Sequence, residues 1–330
     1  MSDSHVLLGL TSVIVAVKDF EPRVLVIGTK TPGLPFGAFS PESHRTLELA
    51  LRSWVDEQTG MTLGYVEQLY TFGNRHRSVR DNEIPSRIIT VGYLALVEQN
   101  SQARDGEWAS WYRFLPWEDH RQGRPALLET IIIPGLQDWA SQAQGAVRDE
   151  RFERIALAFG NDQIVWDPER VIWRYELLYE AGLVEESHRD WQAYSASEKE
   201  KIPITQNNMQ DPILAILACK LGSSMDQDHR RILASSVGRL RGKLKYRPVV
   251  FELVPPEFTL FHVQKVVEAL SGVPLHKQNF RRLLIQGGLV KETGHTDNSL
   301  KGRPAALFRF RRSVLVERPA PGVGLPSVKM

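Results

Sequence analysis

From Phe258 to Phe310 the chain reads FTLFHVQKVVEALSGVPLHKQNFRRLLIQGGLVKETGHTDNSLKGRPAALFRF. Two short helical patterns are split by Gly-Val-Pro, and a strand, a basic polar loop and a second strand follow. That order is the plan of a winged helix-turn-helix. The first helix is expected over Thr259–Leu270, opening at a threonine cap and burying Val263, Val266, Val267 and Leu270. The second is expected over Leu275–Gln286, where Phe280, Leu283 and Leu284 share one face at about 100° per residue. The opposite face carries Gln278, Arg281, Arg282 and Ile285, with Lys277 and Asn279 on its flanks. Lys, Arg, Gln and Asn carry the donors and acceptors that match guanine and adenine edges in the major groove. Lys277, Gln278, Asn279, Arg281 and Arg282 are therefore the candidate DNA-reading residues. Lys301 and Arg303 sit near the tip of the expected wing, where they would meet phosphate or the minor groove. In the last strand Leu307 and Phe310 are the expected core residues. The competing reading is a basic surface that binds nothing.

Charge is segregated in the same sense. Residues 247–330 hold 13 Lys+Arg against 6 Asp+Glu, leaving 28 against 33 for residues 1–246. A chain of formal charge +2 therefore divides into a basic and an acidic part, and the basic part suits phosphate. We accordingly expect domains at 1–246 and 247–330. The length of 330 residues allows two domains or three. No apolar run approaches the length of a membrane span, and MSDSHVLLGLTSVIVAV lacks the basic start of a signal peptide. The expectation is a cytoplasmic protein without membrane association. A single cysteine, Cys219, excludes an intrachain disulfide and a Cys-cluster metal site. Lying in the apolar run ILAILACKL, it is expected to be a buried thiol.

The N-terminal part opens with two β-type runs, LTSVIVAVKD and RVLVIGTK, separated by a Phe-Glu-Pro turn. A helix is expected over Arg45–Thr59, with Leu47, Leu51, Trp54 and Val55 on one face and a stop at Gly60. SRIITVGYLALVE is a further buried strand. GLPFGAF followed by a helix ending DEQTGM resembles the Nudix box, in which a glycine, a glutamate, an Arg-Glu pair and a Glu-Glu pair precede a closing glycine. Aligned on Gly60-Met61, the acidic pair falls on Glu57 and Gln58, and the Arg-Glu pair on Ser53 and Trp54. The first glutamate falls on Arg45 and the first glycine on Phe39. Of the metal-binding acids only Glu57 keeps its place, too few for multi-metal hydrolysis. The box implies a pocket without the chemistry, hence no catalytic residues and no metal.

Taken together, the two blocks resemble the Nudix-related transcriptional regulators of NAD metabolism, the NrtR type. The resemblance is carried by RLRGKLKYRPVVFELVPPEFTL (residues 239–260), NFRR (279–282), GRPAALFRF (302–310) and EQTGMTLGYVEQLYTFGNRHR (57–77). It implies an α+β chain: a Nudix-like α/β/α sandwich with a helical insertion, then a C-terminal winged helix-turn-helix. It also implies a homodimer, expected to be a repressor, on a palindromic operator in double-stranded DNA. The effector would be a nucleotide such as NAD, ATP or ADP-ribose, with no further cofactor required. The alternative function is a Nudix hydrolase of ADP-ribose or a related nucleoside diphosphate derivative.

The middle departs from that family. About 125 residues separate the strand ending near Glu98 from a helix opening near Asp226, and residues 101–225 are expected to form a helical insertion. RPALLETIIIPGLQDWASQA is interrupted by Pro134-Gly135, and RDERFERIALAFG stops at a glycine. DPERVIWRYELLYEAGLVEE and DPILAILACKLG each start at Asp-Pro. The tryptophans clustered here, Trp108, Trp111, Trp117, Trp139, Trp166, Trp173 and Trp191, read as core or dimer contact. SASEKEKIPITQNN (195–208) reads as a surface loop. The larger combination resembles the NadQ-type branch of that family.

In a Nudix-like fold the ligand groove lies beside the box loop. The candidate ligand residues are Phe36, Gly37, Glu57, Tyr70, Phe72, Arg75, Arg77 and Arg87. The arginines could bind pyrophosphate in bidentate geometry, and Phe72 or a neighbouring tyrosine could stack on adenine. His44 and His76 have no partner at metal-ligand spacing and are assigned to the surface. Gly33 and Gly37 make neither a P-loop nor a Rossmann fingerprint.

Overall fold

The computed structural model describes residues 6–28, 30–74, 77, 87–98, 101, 103–199, 204–297, 304–317 and 322–323. Its first unit is a mixed sheet in the order β4-β5-β1-β2-β6, with β3 also paired to β1. The strands are β1 (Val6–Lys18), β2 (Glu21–Val26), β3 (Phe36–Ala38), β4 (Tyr65–Phe72), β5 (Arg87–Leu96) and β6 (Glu107–Ser110). β1 runs parallel to β5 along one edge. Its other edge is shared by antiparallel β3 at Gly9–Thr11 and antiparallel β2 at Val15–Lys18. From Leu10 to Val17 every residue of β1 is buried, as a strand covered on both faces requires.

Alternation sorts those residues between two layers. Leu10, Ile14 and Ala16 face helix α1 (Leu47–Thr59) through Ala50, Leu51 and Val55. Val13, Val15 and Val17 face helix α9 (His229–Tyr246) through Ile232, Leu233 and Val237. One helix on each face makes this the expected α/β/α sandwich. Thr46 caps α1 by accepting from Leu49 N, and Gly60 closes it.

The β1–β2 turn is not Phe-Glu-Pro. Lys18 pairs with Glu21, so Asp19-Phe20 is a two-residue hairpin turn, with φ 54° and 58°. Both values lie in the left-handed region that such turns need, and Phe20 gives no sequence signal for it.

The segment after β5 is built into the molecule, and it is not all helical, since β6 extends the sheet beside β2. It then forms a π turn (Leu128–Ile132), α2 (Ile133–Ser141), α3 (Gly145–Phe159), α4 (Val171–Glu180) and α5 (Glu185–Ala193). The short helices α6 (Ala196–Lys199), α7 (Gln206–Met209) and α8 (Pro212–Ala218) follow. Pro134 does not interrupt the first of these helical stretches. The π turn, with Ile133 N donating to Leu128 O, leads into α2 at Pro134, where its missing N–H costs nothing. Trp111, Trp117, Trp139, Trp166 and Trp191 are buried, so the core reading of the tryptophans is right for these five. Trp173 is 53% exposed with Arg170 above its ring. The stretch 195–208 is no simple surface loop, because Ile204 and Asn208 are buried and Asn208 Nδ2 donates to Ala181 O at 2.7 Å. Cys219 is exposed, because α8 ends at Ala218 with only that residue buried.

The C-terminal unit has α10 (Leu260–Ser271), α11 (Lys277–Gln286), β7 (Val290–Asp297) and β8 (Ala305–Phe310). Thr259 caps α10 by accepting from His262 N at 3.1 Å. β7 and β8 pair antiparallel from Val290↔Phe310 to Asp297↔Ala305, forming the wing. In β8 the inward pair is Phe308 and Phe310, not Leu307 and Phe310. Residues three apart on a strand point to opposite faces. Phe310 stacks on Phe251 at 4.4 Å. The same hydrophobic core runs from β1 through the helical segment and α9 to Val263, Val267, Phe280 and Leu284.

Among the described residues no helix is long and apolar enough to cross a membrane.

Candidate functional site

Two surfaces stand out. The first is a small groove of about 200 Å³ at the N-terminal half of β1. Its walls are Leu7–Thr11 of β1, Phe36–Ala38 of β3, Ile88 and Thr90 of β5, and Gln227 just before α9. Of the expected ligand residues, Phe36 and Gly37 line it. The ring of Phe36 lies 5.5 Å from that of His229, whose Nδ1 accepts from Leu34 N at 3.0 Å.

Beside the groove, the helix of the degenerate box is committed to structure. Trp54, at the position of a box glutamate, donates from its indole N–H to Ala38 O at 2.9 Å. Gln58, in place of the second acid, accepts from Phe36 N at 3.2 Å and donates to Phe36 O at 2.6 Å. Glu57 is exposed and accepts from Ser53 Oγ at 3.0 Å. Among the described residues no group of three or more His, Cys, Asp and Glu is arranged to hold a metal. The residues present do not fit the Mg²⁺ set of a Nudix hydrolase, which needs carboxylates converging from this helix.

The remaining expected ligand residues are dispersed. Arg77 is buried and salt-bridged to Glu176 at 3.1 and 2.8 Å, with its guanidinium 3.8 Å above Tyr179. Burial alone would depress its pKa, but Glu176 and Asp228 overcome that and raise it. It is an internal ion-pair partner and not a free phosphate donor. Phe72 is also buried, edge-on to Tyr70 and beneath the guanidinium of Arg231, which leaves no face for adenine. Tyr70 is 63% exposed on β4, and Arg87 is exposed at the start of β5, donating to Gly73 O at 2.7 Å. Arg75 and His76 lie outside the described residues. His44 is half-buried and holds its own loop by accepting from Ser40 N at 3.1 Å. The pattern of the sequence missed Gln227, Ile88 and Thr90, because neighbours across a sheet and at a distant helix start leave no local mark.

The second surface is the outer face of α11. Lys277, Gln278, Asn279, Arg281, Arg282 and Ile285 are exposed, while Phe280 and Leu284 are buried against α10. Among the described residues none of the five polar side chains has an ion-pair partner. The turn before α11 is held from within: Gln264 Nε2 donates to Leu275 O at 3.0 Å, and Glu268 Oε1 accepts from Leu275 N at 3.0 Å. Those two α10 residues were not legible as turn anchors. Lys301 and Arg303 lie outside the described residues, but Lys291 and Arg309 are exposed on the wing strands. A cleft of about 800 Å³ separates the wing from the ends of β4 and β5. It is lined by Arg309 and Arg312 but also by Glu98 and Glu252, so it has no evident preference for one sign of charge.

Comparison with known proteins bears on the C-terminal unit and on the fold. Residues 250–310 match the family described as the NrtR DNA-binding winged helix domain. Over 83 residues the chain is 40% identical to the ADPR responsive transcriptional repressor NtrR of Acinetobacter baylyi, covering 25% of this chain. The match spans 33% of that relative's length. The crystal structure of Shewanella oneidensis NrtR complexed with a 27mer DNA superposes with a TM-score of 0.52 at 18% identity, covering 94% of this chain and 95% of that one. A MutT/nudix family protein from Enterococcus faecalis gives 0.50 at 15% identity, covering 94% and 88%. At these identities the two structures speak to the fold, which is Nudix-like with a C-terminal winged helix.

Proposed function

We propose, from the premise that residues 250–310 are an NrtR-type DNA-binding winged helix following a Nudix-like domain, that this chain is a nucleotide-responsive DNA-binding regulator of NAD-metabolism genes, acting as a repressor. The observation that carries the reading is the α11 face. Two guanidinium groups, an ammonium and two amides are exposed together at the helix that enters the major groove in this fold. The units divide at about 246/247, with the helical segment belonging to the first. Two copies would place two such helices on a palindromic operator about one DNA turn apart. DNA as the partner puts the protein in the cytoplasm.

ADP-ribose is the first effector to test, because the 40% identical relative is named for its response to it. NAD and ATP share the adenosine and pyrophosphate chemistry. The groove of about 200 Å³ is smaller than the roughly 300–1,000 Å³ of small-molecule sites. It would take one end of the nucleotide, with the rest crossing the open surface toward Tyr70 and Arg87. The box is a structural clamp without hydrolase chemistry. Regulation then follows from linkage: a nucleotide that favours a form unsuited to DNA weakens DNA binding by the factor by which DNA weakens its own.

A gel-shift titration on DNA upstream of NAD-synthesis genes, with and without ADP-ribose, NAD and ATP, tests this. A sequence-dependent shift altered by one nucleotide supports it. Weak, salt-sensitive binding indifferent to sequence would sink it.

A further inference from the structure

Helix α9 reaches both candidate surfaces. At its start, Gln227 lines the groove and Asp228 is the N-cap. His229 receives the hydrogen bond from Leu34 N at 3.0 Å, and its ring faces Phe36, so the strand that walls the groove rests on the first turn of α9. Arg231 of the same turn pairs with Glu176 and with Asp228, tying that end to α4.

The other end holds the DNA-binding unit. Arg241 is fully buried; its Nε donates to Leu270 O at 3.1 Å and its guanidinium to Glu118 O and the Glu118 carboxylate. Arg174 forms the second, equally buried partner of Glu118. Burial alone would raise the Glu118 pKa, but the two guanidinium groups hold it below the usual carboxylate range.

Leu270 and Ala269 belong to the last turn of α10, whose carbonyls have no partner within their own helix. Here they are met from outside. Tyr112 Oη donates to Ala269 O at 2.8 Å, and His120 N donates to Gly272 O at 2.7 Å. Gly272, at φ 76°, could carry no side chain, since a β-carbon would stand 2.4 Å from Glu118 O. Five residues later α11 begins, on a turn pinned by Gln264 and Glu268. The tip of the β1–β2 hairpin also touches α10, with Phe20 at 6.1 Å from Phe261.

We infer that α9 is the element through which the groove governs the DNA-reading helix, and that Arg241, with Tyr112, is a positioning residue for α11. The helix is 18 residues, about 27 Å, long enough to carry a tilt at His229 to Leu270 as a rigid body. The DNA-binding unit cannot swing freely, because the end of α10 is held by α9 and by the segment around Glu118. Groove occupancy would therefore reach α11 by moving that grip, with the Phe20–Phe261 contact of the hairpin tip as a lesser second link. This rests on the regulator reading above, and deepens it by naming the residues that transmit the signal.

The test measures affinity for the operator fragment with and without ADP-ribose in wild type, Tyr112→Phe and Arg241→Met, with circular dichroism to verify folding. ADP-ribose affinity in the absence of DNA should stay within about twofold of wild type, since neither side chain lines the groove. The ratio of DNA affinities with and without nucleotide should shrink about two- to tenfold in Tyr112→Phe, the range for one lost hydrogen bond. It should approach one in Arg241→Met. If Arg241→Met does not fold, Tyr112→Phe decides alone. An undiminished ratio in the folded variants overturns the inference while leaving the regulator reading intact. A wild type whose DNA binding ignores every nucleotide overturns that reading, and this inference with it.

Discussion

The indole of Trp54 lies across Gly37 so closely that a β-carbon at position 37 would stand 2.3 Å from the ring. The two positions are thus one packing unit: a bulky residue where the Nudix helix ordinarily presents an acid, and none on the strand opposite. Gly37→Ala should lower stability by about 1–3 kcal/mol, the usual cost of overpacking. Gly37→Ala combined with Trp54→Ala should cost less than the sum of the two single changes. Urea denaturation of the four proteins measures this, and strict additivity would mean the pair is not in contact.

The same packing bears on catalysis. Incubation with ADP-ribose and Mg²⁺ should release no AMP above a protein-free control, because among the described residues the acids do not converge. Turnover that scales with enzyme and vanishes on Glu57→Gln would return the chain to the hydrolases.

Arg281→Ala and Arg282→Ala should each weaken operator binding, by about 1–3 kcal/mol if the guanidinium reads a guanine. A phosphate contact would instead lower the salt slope by about one, uniformly across sequences. Fluorescence anisotropy at several salt concentrations separates the two. Nucleotide affinity should not change, and a parallel loss of both would assign these arginines to folding.

Arg77→Ala should act on stability and not on recognition. Removing one partner from a buried pair typically costs about 3–5 kcal/mol, and here it would strand Glu176 and Asp228 beside Arg231. A variant that unfolds at lower urea yet binds ADP-ribose as wild type does fits this account. Normal stability with lost binding would restore the phosphate-donor role.

His120 supplies a pH dependence. Burial, with Arg174 and Arg241 nearby and Glu118 opposing them, holds its imidazole down to about 4. The unfolded chain therefore takes up a proton near pH 6.5 that the folded chain refuses until about 4. Stability from this group is complete above pH 6.5 and lost as pH falls, by about 2 kcal/mol at pH 5. Between pH 7 and pH 5 wild type should lose that much more than His120→Asn. Equal slopes would mean the imidazole protonates in the folded protein.

Local patterns were the legible part. The α10 and α11 helices follow from their stripes and the Thr259 cap, and the exposed Arg281 and Arg282 from the same period. The sandwich came with the resemblance to the Nudix box, while the largely apolar run of β1 and the stop of α1 at Gly60 were readable locally. Illegible were pairings across long separations. Nothing near Arg77 in the chain announces Glu176, and nothing near Glu118 announces Arg174 and Arg241. A basic run thus looked like a phosphate loop when one of its members is internal. The β6 strand, at four residues, was too short to show through its aromatic surroundings.

Cys219 stands exposed beside Glu185, and the hydrogen bond to that carboxylate, with some burial, raises its thiol pKa. No second cysteine competes with it. A maleimide dye or a nitroxide would therefore attach at one address per chain, without prior mutagenesis, and more readily in mildly alkaline buffer. Spectroscopic distances between labelled copies on DNA could then report how an assembly opens or closes.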